Sequence, residues 1–230
     1  MIGPNHRRYN EHLRLSERRH QFDINKLCQA VAKSVGRSTD EITTFAKIAE
    51  GGSYRVFEVT FHDSLSVIVR LPYPCTIPRE YGIISEVATM EYLRSHGAPI
   101  PKVFDWSSAR DNPVRSEYII MEKVQGKELS HTWYTMTVEQ RRSVVEKIVD
   151  LERLLFTIRF PVSGSIYFKD SVSTGTTTVD LPLAVNHVET DKFCIGPSTE
   201  FLWWYQRRDE LAVNRGPCKT PMVRITFALG

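Results

Sequence analysis

Cysteine is scarce in this chain. Cys28, Cys75, Cys194 and Cys218 stand far apart, with no Cys-x-x-Cys pair among them. That excludes a zinc ribbon or a disulfide framework and favours a reducing compartment. No apolar run approaches the roughly 18 residues that a membrane-spanning helix needs, so no membrane span is expected. The 7 histidines are scattered, without the His-x-x-x-His spacing that places two metal ligands on one helix face. No Gly-x-Ser-x-Gly elbow supports a hydrolase. Charge of one sign is also in short supply. The 30 basic and 27 acidic residues leave a formal charge of +3, with no Lys/Arg stripe interleaved with aromatics, which argues against nucleic acid as a partner. What is present is the composition of an ordinary globular protein, 41% hydrophobic and 25% charged. Its 230 residues suffice for one large domain or two small lobes.

The amino terminus carries Arg7, Arg8, Arg14, Arg18 and Arg19, but also Glu11 and Glu17. A mitochondrial leader is rich in arginine and poor in acids, so this segment reads as a solvated helix. Phe22-Asp23-Ile24-Asn25 opens a helix to about Ser34, with Leu27, Ala30, Val31 and Val35 on one face. Thr43 to Ala49 and Tyr54 to Phe61 form an antiparallel hairpin, followed by a strand ending at Arg70 and Leu71. A helix from about Glu80 to Ser95 stops at His96-Gly97. Lys102 to Trp106 and Glu117 to Lys123 complete five strands. Beyond Gly126 the pattern turns helical. Thr137 starts a long helix with Val144, Val145, Ile148, Leu151, Leu154 and Leu155 as its core stripe. Pro161 to Phe168 reads as a short hairpin, Ser171 to Thr178 as a loop, and Pro197-Ser198 as the cap of a helix carrying Trp203, Trp204 and Leu211. The expected organisation is an N-terminal extension with a helix (1–40), a sheet-rich lobe (41–126), a partial helical lobe (127–217) and a divergent tail (218–230).

Three features carry chemistry. Gly51 and Gly52, followed by Ser53, let backbone amides approach a phosphate, although two glycines in a hairpin are more often plain turn residues. Ile68 and Arg70 share a strand face, which suits an apolar cover for a base beside a cation for phosphate; an edge-strand arginine facing solvent is the bland alternative. Glu86 falls between Ile83, Met90 and Leu93, where a carboxylate needs a cation, with Arg70 as the candidate and Glu91 as a rival acid. Finally, Met121, Glu122 and Val124 follow an apolar strand. Met121 would back the pocket, while Glu122 and Val124 would offer backbone groups to an adenine edge.

The stretches "KIAEGGSYRVFEV", "VIVRLP", "EVATMEYLRSHGAPIPKVFDW" and "YIIMEKVQGKEL" resemble the N-terminal lobe of the aminoglycoside phosphotransferase family, which has the protein-kinase fold. "FPVSGSIYF", "FCIGPSTEFLWW", "RRDELAVNRGP" and the start "FDINKLCQAVAKSVG" are similar to a fungal branch of it with a mitochondrial member. The resemblance implies an α+β kinase-like fold, ATP and Mg²⁺ as cofactors, and phosphoryl transfer to the hydroxyl of a small-molecule acceptor. It also implies a mitochondrial location, with a cytoplasmic one as the alternative. Family enzymes carry a downstream His-x-Asp-x-x-x-x-Asn loop and a metal-holding Asp. This sequence has neither, and His187-Val188-Glu189-Thr190-Asp191 has the wrong spacing. The expectation is a truncated second lobe with an exposed half-core around Phe193, Trp203 and Trp204, and no turnover. The alternatives are a pseudokinase-like nucleotide binder, a non-catalytic mitochondrial maintenance protein, or an inactive product.

Overall fold

Asp23 starts the first helix by accepting the backbone N–H of Lys26 at 3.0 Å, and α1 runs Ile24–Ser34. Leu27 and Val31 lie a helical turn apart and are fully buried. The turn after it closes at Gly36, whose φ of +68° suits glycine. The computed structural model describes residues 16, 18–19, 21–182 and 190–219. Two compact units emerge: the described residues up to Ile83 with Val103–Glu122, and Ile84–Lys102 with the described residues from Lys123 on.

The first unit is built on five strands: β1 (Ile42–Glu50), β2 (Tyr54–Phe61), β3 (Ser66–Pro72), β4 (Val103–Ser107) and β5 (Tyr118–Glu122). All are antiparallel, in the order β1-β2-β3-β5-β4. Period-two alternation separates the two faces. Phe57, Val59, Phe61, Val67, Val69, Leu71 and Ile120 form one core with Leu27 and Val31 of α1. Phe45 stacks on Phe57 with ring centroids 4.9 Å apart. Each fully buried aliphatic side chain contributes about 1.5–3 kcal/mol relative to exposure, so α1 is fastened to the sheet by its buried face. Val56, Glu58, Ile68, Arg70, Ile119 and Met121 alternate onto the other face.

Helix α2 (Tyr81–Ser95) crosses the division between the units. The second unit also holds α3 (Leu129–Thr132), α4 (Val138–Thr157) and a sheet of β6 (Ser165–Phe168), β7 (Val179–Asp180) and β8 (Phe193–Gly196), in the order β6-β8-β7. Tyr92, Ala88, Ile166, Leu181, Phe193 and Ile195 are its buried core. Four expectations need correction here. Residues 161–168 are not a local hairpin, because β6 pairs with the distant β8, Ser165 opposite Gly196 and Phe168 opposite Phe193. Residues 198–211 are not an α-helix but two 3-10 segments, Phe201–Trp203 and Gln206–Glu210. Side chains take over carbonyls there: the Trp204 indole donates to Ser198 at 2.7 Å, and Arg215 reaches Leu211 at 3.2 Å. In α4, Thr137 and Gln140 form the capping box that the sequence predicts, yet none of the helix is buried. Val145, Ile148 and Leu155 are 48%, 48% and 41% exposed, so its pattern specifies a helix without specifying a cover. Phe193, by contrast, is wholly buried rather than part of an exposed half-core, and Trp203 and Trp204 are half-buried. Among the described residues, no helix is long and apolar enough to cross a membrane.

Candidate functional site

The β1–β2 hairpin closes through Gly51-Gly52-Ser53, with Glu50 opposite Arg55 and the Gly51 N–H donating to Tyr54 at 2.9 Å. The Ser53 carbonyl accepts the Tyr73 N–H at 2.9 Å and the Thr76 hydroxyl at 2.8 Å, which ties the tip to the segment after β3. Neither Gly51 nor Gly52 adopts a positive φ. A Cβ at Gly52 would meet nothing within 4 Å, and one at Gly51 only the Tyr54 carbonyl at 3.9 Å. Backbone conformation and packing therefore give no reason for glycine at either position.

Arg70 lies between Val56 of β2 and Ile119 of β5, and Ile68 between Glu58 and Met121. β3 is thus an inner strand, which removes the edge-strand alternative for Arg70. Its guanidinium sits 4.1 Å from the centroid of the Tyr54 ring, a cation–π contact worth about 0.5–1 kcal/mol that also orients the side chain. Met121 is buried, while Glu122, the last residue of β5, is exposed. Val124 is 63% exposed and belongs to the second unit. Sequence reasoning missed Tyr54 and Val56. Only the register, Tyr54 opposite Pro72 and Val56 opposite Arg70, brings them beside the arginine.

Glu86 is half-buried on the part of α2 that belongs to the second unit. The rival acid, Glu91, pairs with Lys192. The buried positions of α2 are Ile83, Ile84, Ser85, Val87, Ala88 and Tyr92, not the Ile83, Met90 and Leu93 stripe that the spacing suggests. Arg70 and Glu86 lie in different units.

Electrostatics around the hairpin centre on Glu50. Its carboxylate accepts from Lys47 Nζ at 2.6 Å, the Tyr73 hydroxyl at 2.6 Å and Arg55 at 3.3 Å. The lysine bond, then the tyrosine bond, pull its pKa down to about 2. Elsewhere in the first unit Glu117 is 3% exposed and accepts the Glu80 N–H at 3.3 Å. Burial raises its pKa, outweighing that bond and the Arg110 and Arg79 charges. The second unit has a cavity of about 830 Å³ lined by hydroxyl and apolar groups such as Ser85, Thr89, Ile158 and Thr199 and by two cations, Arg159 and Lys219, and none of the predicted site residues borders it. Among the described residues, no three His, Cys, Asp or Glu side chains gather to hold a metal. Glu128 and His131 approach to 3.7 Å, but both are exposed and have no third ligand. Of the His187 to Asp191 stretch, residues 187–189 lie outside the described residues.

No protein-family model matches the chain. A Subtelomeric hrmA-associated cluster protein of Aspergillus fumigatus is 36% identical over 193 residues, 83% of this chain and 36% of that protein. Altered inheritance of mitochondria protein 9 of Yarrowia lipolytica is 31% identical over 195 residues, 78% of this chain and 33% of its own length. Its Saccharomyces cerevisiae namesake is 28% identical over 217 residues, 84% and 35%. A solved structure from Thermobifida fusca described as a fructosamine-3-kinase aligns with 46% of this chain and 33% of that one at 21% identity, with a TM-score of 0.34, too low to carry an argument. The chain spans about a third of the length of the curated relatives it matches. It is a homologue of the fungal proteins named Altered inheritance of mitochondria protein 9.

Proposed function

We propose that the first unit is the nucleotide-facing lobe of a kinase-like phosphotransferase-family protein, and that it takes an adenine nucleotide on the face bearing Arg70. The observation that carries this reading is the register. It sets one cation, Arg70, among Val56, Ile68 and Met121 on the face opposite the α1-covered core. The apolar three would cover the base, while Arg70 and the amides of Gly51, Gly52 and Ser53 would meet the phosphates. The backbone of Glu122, the last residue of β5, would serve the adenine edge. The strand order β1-β2-β3-β5-β4 supports the kinase-like lobe.

The full-length relatives would transfer a phosphoryl group from ATP to a small-molecule hydroxyl, with Mg²⁺ on the phosphates. The described residues here do not fit that metal, since no set of acidic ligands converges. With no His-x-Asp-x-x-x-x-Asn stretch in the sequence either, the chain itself reads as a nucleotide binder without turnover. That favours the second reading, a non-catalytic role beside mitochondrial relatives. A mitochondrial location belongs to the same proposal, and imaging the tagged chain in a fungal cell tests it.

Calorimetry decides the site. ATP should bind near millimolar, about −4 kcal/mol. Arg70→Ala should weaken ATP at least tenfold and leave adenosine unchanged. Equal losses for both ligands would show that Arg70 does not face phosphate. Phosphoryl transfer by the 230-residue chain above background would overturn the non-catalytic reading.

A further inference from the structure

The face of the β1–β2 hairpin opposite Arg70 carries a second concentration of positive charge. Arg55 neighbours Val56 in β2 and so points the other way. Beside it Tyr73 is 1% exposed. Two guanidinium groups lie over the Tyr73 ring, Arg55 at 5.7 Å and Arg18 at 5.6 Å from its centroid. Glu50 is already engaged by Lys47, Tyr73 and Arg55. Lys47 and Arg55 pair with Glu50, and Arg18 and Arg19 line the same cavity as that carboxylate. Among the described residues, neither Arg18 nor Arg19 pairs with a carboxylate, and the Arg55 Nε is buried without a hydrogen-bond partner. A buried donor left unmatched is costly, and a cluster of like charges repels itself. Both penalties are relieved by an anion. A cavity of about 510 Å³ opens at this place, lined by Ser16, Arg18, Arg19, Glu50 and Arg55.

We propose that this cavity binds a small phosphate-bearing dianion, held by the guanidinium groups of Arg18, Arg19 and Arg55. Planar guanidinium forks suit phosphate oxygens, which accept paired N–H bonds. Glu50 does not repel such a ligand strongly, because Lys47 neutralises its charge and the Tyr73 hydroxyl donates to it. The site lies on the face of the sheet away from Arg70 and stands independently of the nucleotide reading. Occupancy would brace the hairpin directly before Gly51, through the Arg55–Glu50 pair.

The test is an NMR titration of the full chain with inorganic phosphate at constant ionic strength, following the arginine Nε–H signals. Saturable shifts are expected at Arg18, Arg19 and Arg55. The double variant Arg18→Gln/Arg19→Gln should bind at least tenfold more weakly, and Arg19→Glu alone should abolish binding. Arg142→Ala, an exposed arginine on α4, should bind phosphate as the wild type does. No saturable shift at millimolar phosphate, undiminished binding in the double variant, or loss of binding in Arg142→Ala would each overturn the proposal.

Discussion

Gly52→Val separates a turn glycine from a ligand-facing one. The residue has no positive φ, and a Cβ there meets nothing within 4 Å. Replacing such a glycine removes freedom from the unfolded chain and should stabilise by about 0.4–1 kcal/mol. At about 2–4 °C per kcal/mol for a chain of this size, the melting temperature should hold or rise by a few degrees. Gly97 is the internal control. Its φ of +87° is strained for any residue with a Cβ, so Gly97→Ala should cost about 1–2 kcal/mol although its surroundings are equally open. The ligand side has the opposite sign. A hydrogen bond to a charged group contributes about 1.5–3 kcal/mol. Valine methyls beneath the loop would hold a phosphate away from at least one amide, which is a tenfold loss or more on a millimolar affinity. Calorimetry with ATP and thermal melts on both variants give the two readings. Should Gly52→Val bind ATP like the wild type, or melt several degrees lower, the glycines are a plain hairpin turn and the phosphate assignment falls.

Leu27→Ala should destabilise the protein by about 2–5 kcal/mol, since Leu27 is 0% exposed in the α1–sheet core; a chemical denaturation midpoint unchanged from wild type would contradict that packing. Gly164→Ala should lower stability by about 1–3 kcal/mol, because a Cβ there would sit 2.6 Å from the Ile195 side chain and collide with the Gly196 carbonyl; a melt equal to wild type would show that β6 and β8 can move apart. The pH response should have two opposite arms. Glu117, with its pKa raised above the ordinary 4.5, contributes stability present in acid and lost as pH rises through the folded value, so Glu117→Gln should melt higher than wild type at pH 7 and equal to it in acid. Glu50, lowered to about 2, contributes stability present above the unfolded value and lost as pH falls from about 4.5 toward 2; Glu50→Gln should remove that arm, modestly because the group is a third exposed.

Local signals were legible in the sequence wherever the cause lies within a few residues. Asp23 before α1 and the Thr137–Gln140 box before α4 announce their helices because the caps are short-range hydrogen bonds. The opposed faces of Val67 and Val69 against Ile68 and Arg70 follow from strand alternation alone. Non-local pairing was not legible. Nothing near Ser165 says that its partner strand begins at Phe193. Nothing near Ser198 says that its N–H will donate to the Arg215 carbonyl at 2.7 Å, with 3-10 turns between them where the apolar spacing suggests an α-helix.

The same limit explains the candidate site. Glycines, a strand cation and a following apolar strand can be read one segment at a time, but Tyr54 joins them only through the β2–β3 register. That register makes the Arg70 position selective for arginine. A lysine there would keep the charge yet lose planar stacking on the Tyr54 ring, which is 4.1 Å away, and with it the pre-set direction of the donors. Arg70→Lys should therefore fold as well as wild type but bind ATP more weakly, and Tyr54→Leu should reproduce that loss while leaving adenosine binding intact. If Arg70→Lys and Tyr54→Leu both bind ATP as wild type does, the stacked guanidinium has no part in holding phosphate, and the apolar face would be a core surface rather than a nucleotide seat.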